Sequence, residues 1–121
     1  MQLNFLKAKI HSATVTKADL NYEGSISIDE EILKKSSILP NEKVDVLNVT
    51  NGERFSTYTI VAPKNSGEIQ VNGAAARLVQ KGDKIIIISY CIIDESESKN
   101  FKPNILILGE NNKIQTSEQK Q

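Results

Sequence analysis

Few side chains in this sequence can do chemistry, and they fall in short stretches. In NYEGSISIDEE, residues 21–31, Gly24 stands directly before the hydroxyl of Ser25. A serine hydroxyl lies next to the carbonyl carbon of the preceding residue. If the backbone is held under strain, that hydroxyl can attack the carbonyl and turn the amide into an ester, because fixing two groups together raises their effective concentration by orders of magnitude. Glycine permits φ/ψ values closed to other residues, and strain is stored at such places. The same pair also reads as a plain turn. In RFSTY, Arg54 can grip a carboxylate with two parallel hydrogen bonds, Thr57 offers a hydroxyl donor, and Tyr58 offers a phenol that can transfer a proton. Strand alternation puts Arg54 and Tyr58 on one face and Thr57 on the other, so one flat strand cannot aim all three at one point. VNGAAA, residues 71–76, presents small side chains and backbone amides that a ligand can approach. Each residue also has a structural reading: a cross-strand Arg, strand-forming Thr and Tyr, a turn into a helix, a solvated Lys9, a structural His11.

Composition narrows the chemistry. Lys+Arg and Asp+Glu are both 15, so the formal net charge is zero and no global positive field holds nucleic acid or an anionic membrane. One cysteine and one histidine exclude an internal disulfide and any multi-Cys or multi-His metal site. Cys91 lies in IIIISYCII and is expected to be a buried, inert thiol. No phosphate loop, GxGxxG, HExxH or GxSxG motif is present. The N-terminus lacks the apolar run of a signal peptide, and IIIISYCII is far short of the ~20 residues of a membrane span. The expected compartment is the cytoplasm.

The elements that must position these residues are mostly strands. A length of 121 residues fits a single domain, 1–121, and aromatics at 5% leave the core to Ile, Leu and Val. Residues 5–17 alternate with a phase slip near His11-Ser12, which predicts a bulge. SIDEEILKKSSIL reads as a short helix with Ser27 and Glu30 as a capping box. Asn51-Gly52 predicts a two-residue primed hairpin turn. EIQVNGAAARLV predicts a strand, a turn at Asn72-Gly73 and a helical turn. GDKIIIISYCIID reads as a strand buried on both faces, FKPNILILG as the last strand, and about 110–121 as a mobile tail. The fold class is mainly β, a barrel or sandwich with short helices.

Taken together, KAKIH (7–11), VTKADLNYEGS (15–25), NVTNGERFSTY (48–58), VNGAAA (71–76) and GDKIIII (82–88) resemble the pyruvoyl-dependent aspartate 1-decarboxylases, in order and spacing along residues 1–108. The resemblance implies a double-psi β-barrel and a homotetramer with active sites between subunits. It implies self-cleavage between Gly24 and Ser25 into chains 1–24 and 25–121, with Thr57 stabilising the oxyanion at Gly24 and Ser25 becoming a covalent pyruvoyl group. The mature enzyme would form a Schiff base with L-aspartate and release CO2 and β-alanine for pantothenate synthesis. Arg54, assisted by Lys9, would anchor the carboxylate that stays, and Tyr58 would protonate the carbanion. Thr57, Asn72, Gly73, Ala74 and Ala75 would contact substrate, while Tyr22 and Ile86 would shape the pocket. No metal, nucleic acid or membrane is implied, and a maturation factor stays open. Two other readings compete: a non-catalytic barrel that binds a small acidic ligand, and a pyruvoyl decarboxylase of another amino acid.

Overall fold

The computed structural model describes residues 1–119. Among these described residues, nine strands run in chain order as β1 (Gln2–Thr14), β2 (Lys17–Asp19), β3 (Ser25–Asp29), β4 (Lys43–Asn48), β5 (Arg54–Ala62), β6 (Ile69–Asn72), β7 (Lys84–Asp94), β8 (Asn104–Leu108) and β9 (Ile114–Gln119). One helix, α1 (Glu30–Ser36), follows β3, and 3-10 turns occupy Gly73–Leu78, Glu95–Glu97 and Glu110–Asn112. The hydrogen-bonded order is β2-β6-β3-β5-β4-β7-β1-β8-β9. β1 pairs with β7 and β8, and the chain then passes through Val15 and Thr16 into β2, which pairs with β6 at the opposite end of that order. Thr16 N–H donates to the Ile69 carbonyl at 2.8 Å. One continuous stretch thus curls the sheet back on itself into a barrel. Three pairs are parallel, β1/β8, β2/β6 and β3/β5. The mainly-β expectation holds, and the closure agrees with the double-psi barrel that the resemblance implies.

Period-two alternation fills the barrel. Ala8, Ile10, Ala13 and Val15 point inward from the first stretch, and Ile26, Ile28, Val44, Val46, Ile69, Val71, Ile85, Ile87 and Leu106 meet them in one aliphatic core. The slip at His11-Ser12 is a register shift between Ile10 and Ala13, with Ser12 at a φ of 60°.

Several local expectations are corrected. α1 is capped by Asp29, whose Oδ1 accepts from Glu31 N–H at 2.9 Å. Ser27 cannot cap, because it lies in β3 and pairs with Ile60 on one side and Gln70 on the other. The two-residue turn at Asn51-Gly52 is instead a loop over residues 49–53, and of that pair only Gly52 has a positive φ. The side-chain carbonyls of Asn48 and Asn51 accept from Thr50 and Glu53 N–H and shape the loop. β7 is not buried on both faces within the chain: Ile85, Ile87 and Ser89 are buried, Ile86 and Ile88 are half-buried, and Tyr90 and Ile92 are exposed. Cys91 is only partly buried, since it lies past the core opposite half-buried Phe5.

In the stretch expected as a tail, the 3-10 turn Glu110–Asn112 and β9 (Ile114–Gln119) follow β8, while 120 and 121 lie outside the described residues. β9 adds antiparallel to the edge of β8, a pairing that rests on backbone hydrogen bonds and so needs no apolar face. Ile114 packs against the core. Buried Asn112 donates to the carbonyls of Thr14 (2.9 Å) and Gly67 (2.8 Å), and its own carbonyl accepts from Thr14 N–H (2.8 Å).

Candidate active site

The Gly24-Ser25 junction sits where β3 begins, between β5 and β6. Ser25 pairs with Asn72 across the β3/β6 ladder, and the two are 1% and 0% exposed. Asn72 Nδ2 donates to Ser25 Oγ at 2.9 Å and to Ser27 Oγ at 3.2 Å. The Ser25 hydroxyl donates in turn to the Glu23 carbonyl over a long 3.4 Å. A buried nucleophile candidate is therefore held by a fixed amide donor and only loosely by its own proton. Burial excludes water that would otherwise compete for these groups.

The Asn72-Gly73 turn lies directly against the junction. Gly73 has a φ of +74°, and a Cβ there would lie 2.7 Å from Gly24 Cα, 2.8 Å from Gly24 N and 3.2 Å from the Tyr22 carbonyl. Real Cβ atoms do not come so close, so glycine at 73 is required twice, by conformation and by the approach of residues 22–24. Gly24 differs: a Cβ added there meets nothing within 4 Å. Packing within this chain does not demand glycine at 24, and that side of the junction is open. Tyr22 and Ala74 are exposed beside it, while Ala75 is half-buried against the core.

Thr57 and Tyr58 come to the same end of the sheet. The parallel β3/β5 ladder starts at Ile26 opposite Thr59, so Thr57 and Tyr58 precede it on β5 as Gly24 and Ser25 do on β3. Tyr58 shares the outward parity of Ser25 and is 40% exposed, whereas Thr57 is half-buried.

The remaining residues are not brought to Ser25 within one chain. Arg54 is exposed at the far end of β5, four residues from Tyr58, roughly 13 Å along a strand. Among the described residues it has no hydrogen-bond or ion-pair partner. Arg54 pairs with Leu47 and Leu47 with Ile86, so these three form a row on the outer face. Lys9 lies on β1 opposite Ile88 and Ile105, pointing outward between buried Ala8 and Ile10. A shallow hollow of about 260 Å³ beside Arg54 is lined by Asp45, Leu47, Phe55, Ser56 and Tyr90, and not by Ser25.

Two further polar residues belong to the junction. Gln70 Nε2 donates to Asn72 Oδ1 at 2.7 Å, and Ser27 shares the Asn72 amide. Alternation in EIQVN already places Gln70 and Asn72 on one face, a signal that sequence reasoning passed over. His11 lies at the bulge of β1 and lines a separate hollow with Lys84 and Glu110.

Comparison with known proteins follows the same residues. A model of the family described as aspartate decarboxylase matches residues 1–115. The aspartate 1-decarboxylase of Caulobacter vibrioides is 59% identical over 114 residues, covering 94% of this chain and 97% of the relative. That of Carboxydothermus hydrogenoformans is 58% identical, covering 94% and 90%. Crystal structures of two designed proteins, mkDPBB_sym_86 and msDPBB_sym2, superpose with TM-scores of 0.48 and 0.46 at 15% and 16% identity, covering 64% and 74% of this chain and 90% and 99% of theirs. The family match spans both halves of the Gly24-Ser25 junction and every strand but the last, and the chain belongs to the aspartate decarboxylase family.

Proposed function

We propose that this chain removes the α-carboxylate of L-aspartate, giving β-alanine and CO2, after cutting itself between Gly24 and Ser25. One observation carries the reading: Ser25 is buried with its hydroxyl held by Asn72, while the adjoining Gly24 is packed on Gly73 and otherwise open.

In the cleavage, Ser25 Oγ loses its proton and adds to the Gly24 carbonyl carbon. Thr57, one strand over, donates to the resulting oxyanion, a contribution of about 3–4 kcal/mol in comparable sites. The carbon–nitrogen bond breaks, the nitrogen of residue 25 takes a proton, and an ester joins residues 24 and 25. Loss of the Cα proton of residue 25 then expels the Gly24 carboxylate from Cβ. Residues 1–24 leave with a free carboxylate, and residue 25 becomes dehydroalanine. Water replaces its nitrogen, which departs as ammonia.

The local residues fit the pyruvoyl group so formed: Asn72 presents an N–H at its position, and the missing Cβ of Gly73 leaves room for residues 22–24 against the turn. Once formed, that group supplies the electron sink that decarboxylation needs. The chain's own residues do the rest. Arg54, with Lys9, holds the carboxylate that is retained, and a cation there does not stabilise the carboxylate that leaves. Tyr58 delivers a proton to the substrate α-carbon. Tyr22 and Asn72 orient the substrate, the backbone of Gly73, Ala74 and Ala75 lies along it, and Ile86 walls the pocket.

Since Lys9, Arg54 and Ile86 sit on the outer face, a second copy completes each site, in a homotetramer. Half-buried Leu47, Ile86 and Ile88 with exposed Tyr90 and Ile92 give that face the apolar character of an interface. No helix among the described residues is long and apolar enough to cross a membrane. We place the reaction in the cytoplasm, supplying β-alanine for pantothenate.

Mass spectrometry under denaturing conditions tests the proposal. Purified protein should give residues 1–24 and 25–121, the latter with a hydrazine-reactive carbonyl. Ser25→Ala should stay whole and release no CO2 from aspartate. An undivided chain that still decarboxylates aspartate overturns the reading. Preference for glutamate or histidine over aspartate would favour a different substrate.

A further inference from the structure

We infer that Asp45 is a specificity-determining residue: its carboxylate receives the ammonium group of the substrate while Arg54 of the same copy holds the retained carboxylate. The inference deepens the proposed reaction and rests on Arg54 being the carboxylate anchor.

Asp45 and Arg54 share the outer face of the β4/β5 hairpin. Across that antiparallel pair Asp45 stands opposite Ser56, and Leu47 opposite Arg54. Residues directly opposite, and residues two apart on one strand, lie on the same face. Asp45 is therefore the diagonal neighbour of Arg54, at about 7–8 Å between backbones. Both line the hollow of about 260 Å³, with Leu47, Phe55, Ser56 and Tyr90. Wherever a second copy carries Arg54 to a Ser25 junction, its Asp45 arrives with it.

Asp45 is half-buried, and Ser56 Oγ donates to its Oδ1 at 2.6 Å. That bond fixes the carboxylate and leaves Oδ2 without a partner among the described residues. Two cations stand close by. Lys43 borders Asp45 in an adjoining hollow, and Arg54 shares its own. Among the described residues neither forms an ion pair with it.

The hollow thus holds a fixed negative charge and a positive charge that do not neutralise each other. A plain anion gains at Arg54 and loses at Asp45. A molecule with a carboxylate and an ammonium a few bonds apart gains at both. L-Aspartate has that arrangement. Succinate has the same carbon chain and both carboxylates but no amine. Asp45 makes the site favour the amino acid over the diacid, before any bond to residue 25 is made.

Binding by the cleaved enzyme tests this. KM for aspartate and the inhibition constant of succinate would be measured for the parent, Asp45→Asn and Asp45→Ala, with thermal unfolding and oligomer mass by light scattering alongside. Asp45→Asn keeps an acceptor for Ser56 and removes the charge. It should raise KM for aspartate about ten- to a hundredfold, the range for a lost hydrogen bond to a charged group. Succinate should bind as tightly as before, or more tightly. Asp45→Ala should move the ratio of the two constants the same way. A ratio unchanged in both variants overturns the inference. That is the result if Asp45 only packs the face, or if it meets a cation of the second copy, in which case the oligomer also weakens. Arg54→Gln separates the underlying reading, since it should weaken aspartate and succinate alike. If it weakens neither, Arg54 is not the anchor and the inference falls with that reading. If it weakens both while the Asp45 variants leave the ratio fixed, only the role of Asp45 is wrong.

Discussion

Gly73→Ala tests the link between fold and chemistry most directly, because the structure separates its two costs. The first is conformational. At a φ of +74° an alanine occupies the left-handed region, at a cost of about 1–2 kcal/mol. The second is steric: the new methyl would sit 2.7 Å and 2.8 Å from Gly24 backbone atoms and 3.2 Å from the Tyr22 carbonyl, so the connecting segment that enters the junction must move. Gly52 provides the control. Its φ is +81°, yet a Cβ there meets nothing within 4 Å, so Gly52→Ala carries the first cost alone. Both variants should lose about 1–2 kcal/mol, with Gly73→Ala losing more. For a chain of this size each kcal/mol is roughly 3–6 °C in the unfolding midpoint. Only Gly73→Ala should disturb cleavage, since a misplacement of about 1 Å between reacting groups costs on the order of a hundredfold in rate. The assay is the time course of chain cleavage by denaturing electrophoresis, paired with thermal unfolding of the uncleaved protein. A Gly73→Ala chain that cleaves as fast as Gly52→Ala would show that contact between residues 22–24 and the Asn72-Gly73 turn does not position the junction.

Arg54→Gln should leave cleavage and thermal stability unchanged, because Arg54 has no partner among the described residues, and should raise KM for aspartate about ten- to a hundredfold with a smaller change in kcat. A lowered unfolding midpoint with KM intact would make Arg54 structural. Asn112→Ala should lower the urea midpoint at constant m, by about 2–4 kcal/mol in stability, because it removes three hydrogen bonds and strands the Thr14 N–H and two carbonyls. An unchanged midpoint would show that the Asn112 contacts to Thr14 and Gly67 do not hold this stretch to the barrel.

Local pattern carried far where the physics is local. Alternation placed the apolar face of β1, and its slip located the bulge at His11-Ser12. The charge order of α1, with Glu30 and Glu31 first and Lys34 and Lys35 last, matches the helix dipole. Pattern failed where a distant strand intervened. Ser27 has the right spacing for a cap, but pairing with both β5 and β6 carries the strand past it and leaves the cap to Asp29. Asp29 then also accepts from Asn65 and Gly67 N–H, contacts no local motif announces.

The sequence by itself determined the chemically able residues, the aliphatic core, the turn at Asn72-Gly73, and enough ordered motifs to mark the family. Spacing along a chain sets which face of a strand a residue occupies, and that much is independent of the rest of the molecule. Tertiary structure alone decided which faces meet. Antiparallel register set Asn72 opposite Ser25, parallel register set Thr57 and Tyr58 beside the junction, and the approach of residues 22–24 made glycine compulsory at 73 rather than at 24. The same register sent Lys9, Arg54 and Ile86 to the outer face. Register is a property of two strands brought together, so a single strand's sequence does not contain it.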